Sequence, residues 1–474
     1  MKTVLAFDFG ASSGRAIKAV YDGERITYNE IHRFDNIPVI ENGSVYHDVP
    51  MILNEIKTAI EKAGAVDSLA FDTWGVDYGL IDDSGKLINL PYHYRDVRTA
   101  DVLGRAEKRI DFDFLYKETG NQIMNINTLF QLLCDNKLNK ADKILFMPDL
   151  FCYLLTGNMV CEKTIASTSQ MLNPVMQNWS RTVFDKFSIS EKLFPSLTDS
   201  STVNGEYNGI KVITVAGHDT QCAVAAMPCE KDEQAVFLSC GTWSLIGCEL
   251  DEPVLSKESR KAELSNEVGA NGKINYLKNI SGLWLIQQAK KELADMGQKL
   301  TYNDLEMLAR ESTPFKCFVD PDAPSLSAHG NLIDKIKAYC ADTNQPVPET
   351  AGELARCIYE SLALKYRYAV EQIKACTGKE FNVLHILGGG TKDGFLCEMT
   401  ASSVNMPVVA GPAEATALGN IMLQLIALGE IGSVEKGRSI IKKNEKTTLY
   451  EPASDAEWED AYKRYKKIIL KNKG

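Results

Sequence analysis

The sequence predicts an α/β fold in two domains, and three observations carry that expectation. Strand-like and helix-like patterns alternate along all 474 residues, as they do in mixed α/β chains. A chain of that length exceeds what one ordinary hydrophobic core fills. One device also occurs twice, near residues 4–15 and 235–249: a buried strand enters a turn of glycine and hydroxyl residues and returns as a strand.

The first copy is Val4-Leu5-Ala6-Phe7-Asp8-Phe9-Gly10, followed by Ala11-Ser12-Ser13-Gly14-Arg15. An acid at a strand end, a tight glycine turn and a following arginine suit a pocket for phosphate and a metal ion. Glycine admits backbone N–H groups close to phosphate oxygens, and the serines add hydroxyl donors. The turn lacks the lysine and the ensuing helix of a P-loop. A plain hairpin with an incidental Asp8 is the competing reading.

Residues 3–33 read as three consecutive strands, and a helix follows over Val49–Gly64 with Ile52, Ile56 and Ile60 on one face. Ser68–Thr73 and Tyr78–Ile81 read as strands around the corner Trp74-Gly75-Val76-Asp77. Met147-Pro148-Asp149 opens a helix that Gly157 closes, with proline early and glycine after the end. Lys211–Ala216 is a strand, Asp219–Ala226 a short helix, and Pro228–Glu233 a polar connection that sets domains at 1–230 and 231–474. Ala235–Ser239 then leads through Cys240-Gly241-Thr242-Trp243-Ser244 into the strand Leu245–Glu249. A long helix over 351–375 precedes the strand Val383–Leu387, which meets Gly388-Gly389-Gly390-Thr391 and another helix. The last helix starts at Ser454 with a Ser-x-x-Glu capping box to Glu457, and turns Trp458, Tyr462, Tyr465 and Ile469 inward.

Glycine turns at 10–15, 241–244 and 388–391 together suit a nucleotide: the first two grip phosphates, and the third leaves backbone open to a base and ribose. In Gly217-His218-Asp219-Thr220, the Asp219 carboxylate either caps the short helix or acts as a general base at a strand end. Trp74 beside Gly75 is either the wall of a polyol site or a core residue. Tyr94-Arg95-Asp96-Val97-Arg98 reads equally as hydroxyl-reading groups or as surface ion pairs. Asn279 and Gln287 flank Ser281-Gly282-Leu283-Trp284, where a substrate contact and a nucleotide contact compete with ordinary cap and surface roles.

The net charge of −11 opposes a nucleic-acid or anionic-membrane partner. No apolar run approaches the ~20 residues that span a bilayer, and no secretory signal precedes Asp8, so the expected compartment is the cytoplasm. The twelve cysteines show no Cys-x-x-Cys and no zinc spacing, and read as reduced buried thiols. The close pairs Cys222/Cys229, Cys240/Cys248 and Cys340/Cys357 are candidates for oxidation only.

On these motifs the chain resembles the FGGY family of carbohydrate kinases, within the actin-like, ribonuclease H-like ATPase folds. The likeness runs through Gly10–Arg15, Ile31-His32-Arg33-Phe34, Asp72–Asp77, Tyr94-Arg95-Asp96, Met147-Pro148-Asp149, His218-Asp219-Thr220, Gly241–Ser244, Lys278-Asn279-Ile280 and Ala410-Gly411-Pro412. The resemblance implies two such ATPase domains with an interdomain cleft. The first would carry the sugar site, and the second the adenosine site. It implies that Ala11, Ser12, Ser13, Gly14, Arg15, Thr242, Gln287 and Gly389 bind ATP. It further implies that Gly75, His218, Asp219, Thr220 and Asn279 bind the sugar, with Asp219 as proton acceptor and Asp8 holding Mg²⁺ in part through water. Within the family the likeness is to members that phosphorylate the 1-hydroxyl of L-rhamnulose in rhamnose degradation. The Lys-x-x-Trp element of many relatives is replaced by Asn127-Thr128-Leu129-Phe130-Gln131-Leu132, which disfavours glycerol or xylulose. Kinases of L-fuculose, xylulose or glycerol, and a non-catalytic ATP-binding regulator, are the alternatives.

Overall fold

The computed structural model describes the chain apart from residues 11, 231–232, 328–329, 454–455 and 472–474. The chain forms two compact units. One comprises Met1–Lys231, Glu249–Tyr276 and Ala415–Glu445; the other comprises Asp232–Cys248, Leu277–Glu414 and Lys446–Gly474. These units differ from a single cut after residue 230, because segments 249–276 and 415–445 pack with the first. The divisions at 248/249 and 276/277 fall inside two long strands, Trp243–Leu250 and Ile274–Ser281.

The first unit is built on a six-stranded sheet ordered Thr202–Tyr207, Ile210–Thr214, Ser68–Thr73, Lys2–Phe9, Ser13–Tyr21 and Ile26–Asp35. Its three inner strands Ile210–Thr214, Ser68–Thr73 and Lys2–Phe9 run parallel, and the three strands expected over 3–33 form the antiparallel run at one edge. Parallel strands are buried on both faces and read as continuous apolar runs, which is why Val4 to Phe9 is buried throughout, Asp8 included. The Val49–Ala63 helix begins where Asp48 accepts from the Met51 N–H at 3.0 Å, ends at Gly64 with φ 65°, and buries Ile52, Ile56 and Ile60. With Phe7, Phe71, Leu145 and Phe151 these form one core. The expected strand Lys211–Ala216 is two residues shorter at its end, and Tyr78–Ile81 leaves the main sheet to pair with Lys143–Phe146.

A helix from late in the chain, Ala415–Ala427, also packs in this unit. It crosses the Asp219–Ala225 helix so closely that a Cβ on Gly419 would lie 1.9 Å from the Cys222 carbonyl oxygen. Glycine is the one residue that fits there. On its sheet side, Asn420 donates to Asp72 at 2.7 Å and Gln424 accepts from Ser68 at 2.7 Å.

The second unit repeats the central device. Ala235–Cys240 and Trp243–Leu250 form an antiparallel hairpin, and Ala235–Cys240 has Val383–Leu387 as its parallel neighbour. In the first unit, Lys2–Phe9 stands in the same relation to Ser13–Tyr21 and Ser68–Thr73. The long Ala351–Thr377 helix is capped by Thr350 and Gly378. The Ala456–Lys471 helix buries Trp458, Tyr462, Tyr465 and Ile469; its expected capping box at Ser454 lies outside the described residues. All twelve cysteines are free thiols. Among the described residues, no helix is long and apolar enough to cross a membrane.

Candidate active site

In the first unit, the C-terminal ends of the parallel strands bring three carboxylates together, at the edge where open α/β sheets bind ligands. Sheet register sets two of them: Asp8 lies opposite Arg15 on one side and opposite Asp72 on the other. The third arrives because Thr73 bridges to His218, its N–H donating to the Gly217 carbonyl at 2.9 Å, which brings Asp219 to the same edge. The Arg15 guanidinium donates to the Asp8 carboxylate. Burial, then the charges of Asp8 and Asp219, push Asp72 well above the usual carboxylate range. One of its oxygens accepts from Asn420; the other, Oδ1, is buried with no hydrogen-bond partner among the described residues.

Asp219 opens its short helix. It accepts from the Thr220 N–H at 2.6 Å and the Thr220 hydroxyl at 3.3 Å, while a third of its side chain stays exposed (33%). Both readings of this residue meet here: it sits in the first helical turn and still presents its carboxylate outward. Burial raises its pKa above the ordinary aspartate value, with His218 opposing the rise and Asp8 adding to it. His218 lies with Nε2 3.4 Å from Asp219 and Nδ1 2.9 Å from Glu267. Burial pushes that imidazole down, but Glu267 and Asp219 outweigh it and its pKa is raised. Glu267 also accepts from Gln221 at 2.7 Å.

A second buried acid, Glu162, accepts from the Gly217 and Ile165 N–H groups, each at 3.0 Å, and from the hydroxyls of Thr164 (2.6 Å) and Ser200 (2.7 Å). It therefore fixes the segment that carries His218 and Asp219.

The hairpin turn is tight, with Gly10 N–H donating to the Ser13 carbonyl at 2.9 Å. Ser12 is exposed, Ser13 half-buried and Ala11 outside the described residues. Gly14 has a packing reason: a Cβ there would lie 2.2 Å from the Phe34 ring. The corner Gly75-Val76 is strained, since Val76 has φ 67°, an outlier for a β-branched residue. The Val76 N–H donates to Thr168, and its carbonyl accepts from Thr128 and Gln131, which hold the corner in place.

Trp74 is a core residue, 6% exposed. Its indole N–H donates to Asp77 at 2.9 Å, alongside His47 at 2.7 Å and the Tyr94 N–H at 3.1 Å. In the next loop, Asp96 organises backbone, accepting from the Val45 and Arg98 N–H groups.

In the second unit, Thr242 lies in the turn after Ala235–Cys240, and Gly388 and Gly390, on either side of Gly389, pack on Cys240. The Thr242 carbonyl accepts from the Gly282 and Trp284 N–H groups, each at 3.2 Å, which seats the Trp284–Asp295 helix and its half-buried Gln287 on the hairpin. Asn279 lies half-buried on the adjoining strand Ile274–Ser281. The glycine triplet divides its work: Gly388 takes φ 81°, a Cβ on Gly390 would strike the Cys240 sulfur at 2.3 Å, and Gly389 is exposed with nothing within 4 Å. Gly389 alone leaves room for a ligand. The helix expected directly after the triplet begins as a 3₁₀ turn, Gly389–Lys392, before Gly394–Val404.

Models of the FGGY family of carbohydrate kinases match here, the N-terminal domain over residues 3–238 and the C-terminal domain over 236–428. The chain belongs to that family. It is 38% identical to a rhamnulokinase of Bacteroides thetaiotaomicron, over 98% of this chain and 99% of that one. It is also 38% identical to a rhamnulokinase of Enterococcus faecalis, over 95% and 94%. Among solved structures, a xylulose kinase from Lactobacillus acidophilus superposes with TM-score 0.81 at 17% identity over 99% of this chain and 98% of the other. Plasmodium falciparum glycerol kinase with ADP gives 0.78 at 16%, over 100% and 98%. The two-domain α/β fold is thus that of the FGGY kinases, and the chain is a sugar kinase by family.

Sequence reading missed Glu267, Glu162 and Asn420. The strand Ser265–Val268 that carries Glu267 is wholly buried, but its polar sequence does not announce that burial. No local pattern announces the other two either.

Proposed function

We propose that this chain transfers the γ-phosphoryl group of ATP to the 1-hydroxyl of L-rhamnulose, giving L-rhamnulose 1-phosphate and ADP. The observation that carries the chemistry is Asp219, a partly exposed carboxylate of raised pKa at a strand end beside two further carboxylates. Likeness over nearly the whole chain to proteins called rhamnulokinase supports the choice of sugar. Phosphoryl transfer asks for positioning and charge stabilisation more than covalent work. In this reading Gly75, His218, Asp219, Thr220 and Asn279 bind the sugar, and Asp219 also accepts the hydroxyl proton. Residues 11–15, Thr242, Gln287 and Gly389 bind ATP. Residues 1–230 supply the sugar site apart from Asn279, the first phosphate hairpin and the base, and residues 231–474 the second hairpin and the adenosine contacts. A kinase that draws on ATP belongs in the cytoplasm.

The donor set suits Mg²⁺, a hard cation that takes oxygen ligands: Asp8 and Asp72 adjoin, and the Asp72 Oδ1 atom lacks any other partner. Those two side chains would hold the ion, which when bound offsets charge on the β- and γ-phosphates. Arg15, held on Asp8, adds positive charge near the hairpin.

Asp219 works as a base only when ionised. Its pKa is raised above 3.8, so kcat/KM for the sugar is expected to fall as pH drops through that raised value, earlier than an ordinary aspartate would give. A pH profile of kcat/KM, which reports the free enzyme, checks this; an acid limb at or below the ordinary value would remove Asp219 as the base.

The deciding assay is ADP release with L-rhamnulose beside L-fuculose, xylulose and glycerol. Fastest turnover with L-rhamnulose is the expected result. Preference for another of the panel reassigns the sugar, and ADP release that ignores every sugar identifies a regulator instead of a kinase.

A further inference from the structure

Cys317, Cys340 and Cys357 converge in the second unit from three separate segments: a loop, the last turn of the Leu332–Asp342 helix and the Ala351–Thr377 helix. Their three sulfur atoms lie within 4.8 Å of one another, and the residues are 1%, 0% and 2% exposed. Lone buried cysteines serve as small apolar fillers, but packing alone gives no reason for three sulfurs to meet at one point.

The supporting shell is also built. Beside Cys317, the Phe315 N–H donates to the Glu360 carboxylate at 3.0 and 2.9 Å, and the Val319 N–H donates to the Ser361 hydroxyl at 2.9 Å. Both acceptors belong to the helix that carries Cys357. The Phe318 N–H donates to the Gln345 side chain at 2.8 Å, and the Gln345 N–H donates to the Cys340 carbonyl at 2.8 Å. Each thiol-bearing segment is thereby tied to another, the kind of outer contact that orients metal ligands.

We propose that Cys317, Cys340 and Cys357 form a three-thiolate site for a soft, thiophilic cation. Metal–thiolate bonds of about 2.3 Å separate three such sulfurs by roughly 4 Å, within the spread found here. Among the described residues no histidine or carboxylate completes the group. An all-sulfur donor set selects soft ions over Mg²⁺, so the site is chemically distinct from the one that serves MgATP. On binding, three S–H groups release their protons to water and three metal–sulfur bonds form, with no change of oxidation state. Burial means that the ion enters while the chain folds or when the 315–319 segment opens.

Cadmium is a suitable probe. The full chain is produced in cells supplied with cadmium, purified, and assayed for bound metal and for sulfur-to-metal charge-transfer absorption. One cadmium per chain with that absorption is expected, and Cys340→Ser should retain at least ~10-fold less. Cys317→Ala and Cys357→Ala repeat the test should Cys340→Ser fail to fold. Cys134→Ser/Cys229→Ser/Cys376→Ser, which alters half-buried thiols outside the cluster, should keep the metal. Cadmium absent from the parent chain, or retained by all three cluster variants, overturns the proposal, as does its loss from the triple variant alone.

Discussion

Asp219→Asn is expected to fold as the parent does and to lose about 10²- to 10⁴-fold in kcat, the range that a positioned general base contributes. The amide is nearly isosteric, and its oxygen still accepts from the Thr220 N–H that Asp219 holds at 2.6 Å, so the helix start survives. What disappears is the capacity to take a proton. Because the amide keeps the place of Asp219 and the other proposed sugar and ATP contacts are untouched, both KM values should move little. The loss belongs in kcat, read as ADP release at saturating substrates, with circular dichroism reporting an unchanged fold. Near-parental turnover would mean that the sugar hydroxyl loses its proton elsewhere. A large rise in the sugar KM with kcat preserved would make Asp219 a binding residue and nothing more.

The first hairpin was legible in the sequence because its strand is apolar from Val4 to Phe9 save for one acid, and because small residues follow at once. What those residues do was only half legible. Gly14 reads as an approach for phosphate, yet the structure gives it the Phe34 ring to clear. Three glycines in a row read as one open loop, while the fold uses Gly388 for its φ, Gly390 for the Cys240 contact and Gly389 for open space. Composition cannot distinguish these, since the reason for each glycine lies in a partner from another segment.

The same holds for the polar groups. Trp74 could be core or pocket wall until Asp77 and His47 are seen to hold it. Asp72 acquires Asn420 from 348 residues away, and the segments 249–276 and 415–445 join the first unit although they follow its main stretch. Local patterning reports helix and strand; it does not report which late segment returns to an early sheet. Full-length family resemblance suggests roles for Asp219 and Thr242, but Glu162, Glu267 and the three converging thiols emerge only in the folded chain.

Lys365→Met tests how such a distant partner supports the strand that carries Asn279, the sugar contact proposed for the second unit. Lys365 is 2% exposed and reaches Asp320 at 2.7 Å and Asp322 at 2.9 Å. Burial pulls its pKa down, but the two carboxylates outweigh that and it is raised, so the ammonium is charged throughout the working range. Removing it leaves Asp320, itself 6% exposed, without the ammonium that pairs with it. Breaking a buried pair from one side costs about 3–5 kcal/mol, and the melting temperature of the variant should fall accordingly. If the unpaired charge is the cause, Asp320→Asn added to Lys365→Met recovers most of the loss. If lost packing is the cause, the second substitution recovers nothing. Function should follow through Asp322, which accepts from the Ser281 N–H at 2.8 Å, two residues from Asn279 on the same strand. A misplaced strand end weakens sugar binding without touching the base, so the sugar KM rises while kcat stays within a few-fold. A fall in kcat at unchanged KM would instead place the Asp322–Ser281 contact in support of the transfer step itself.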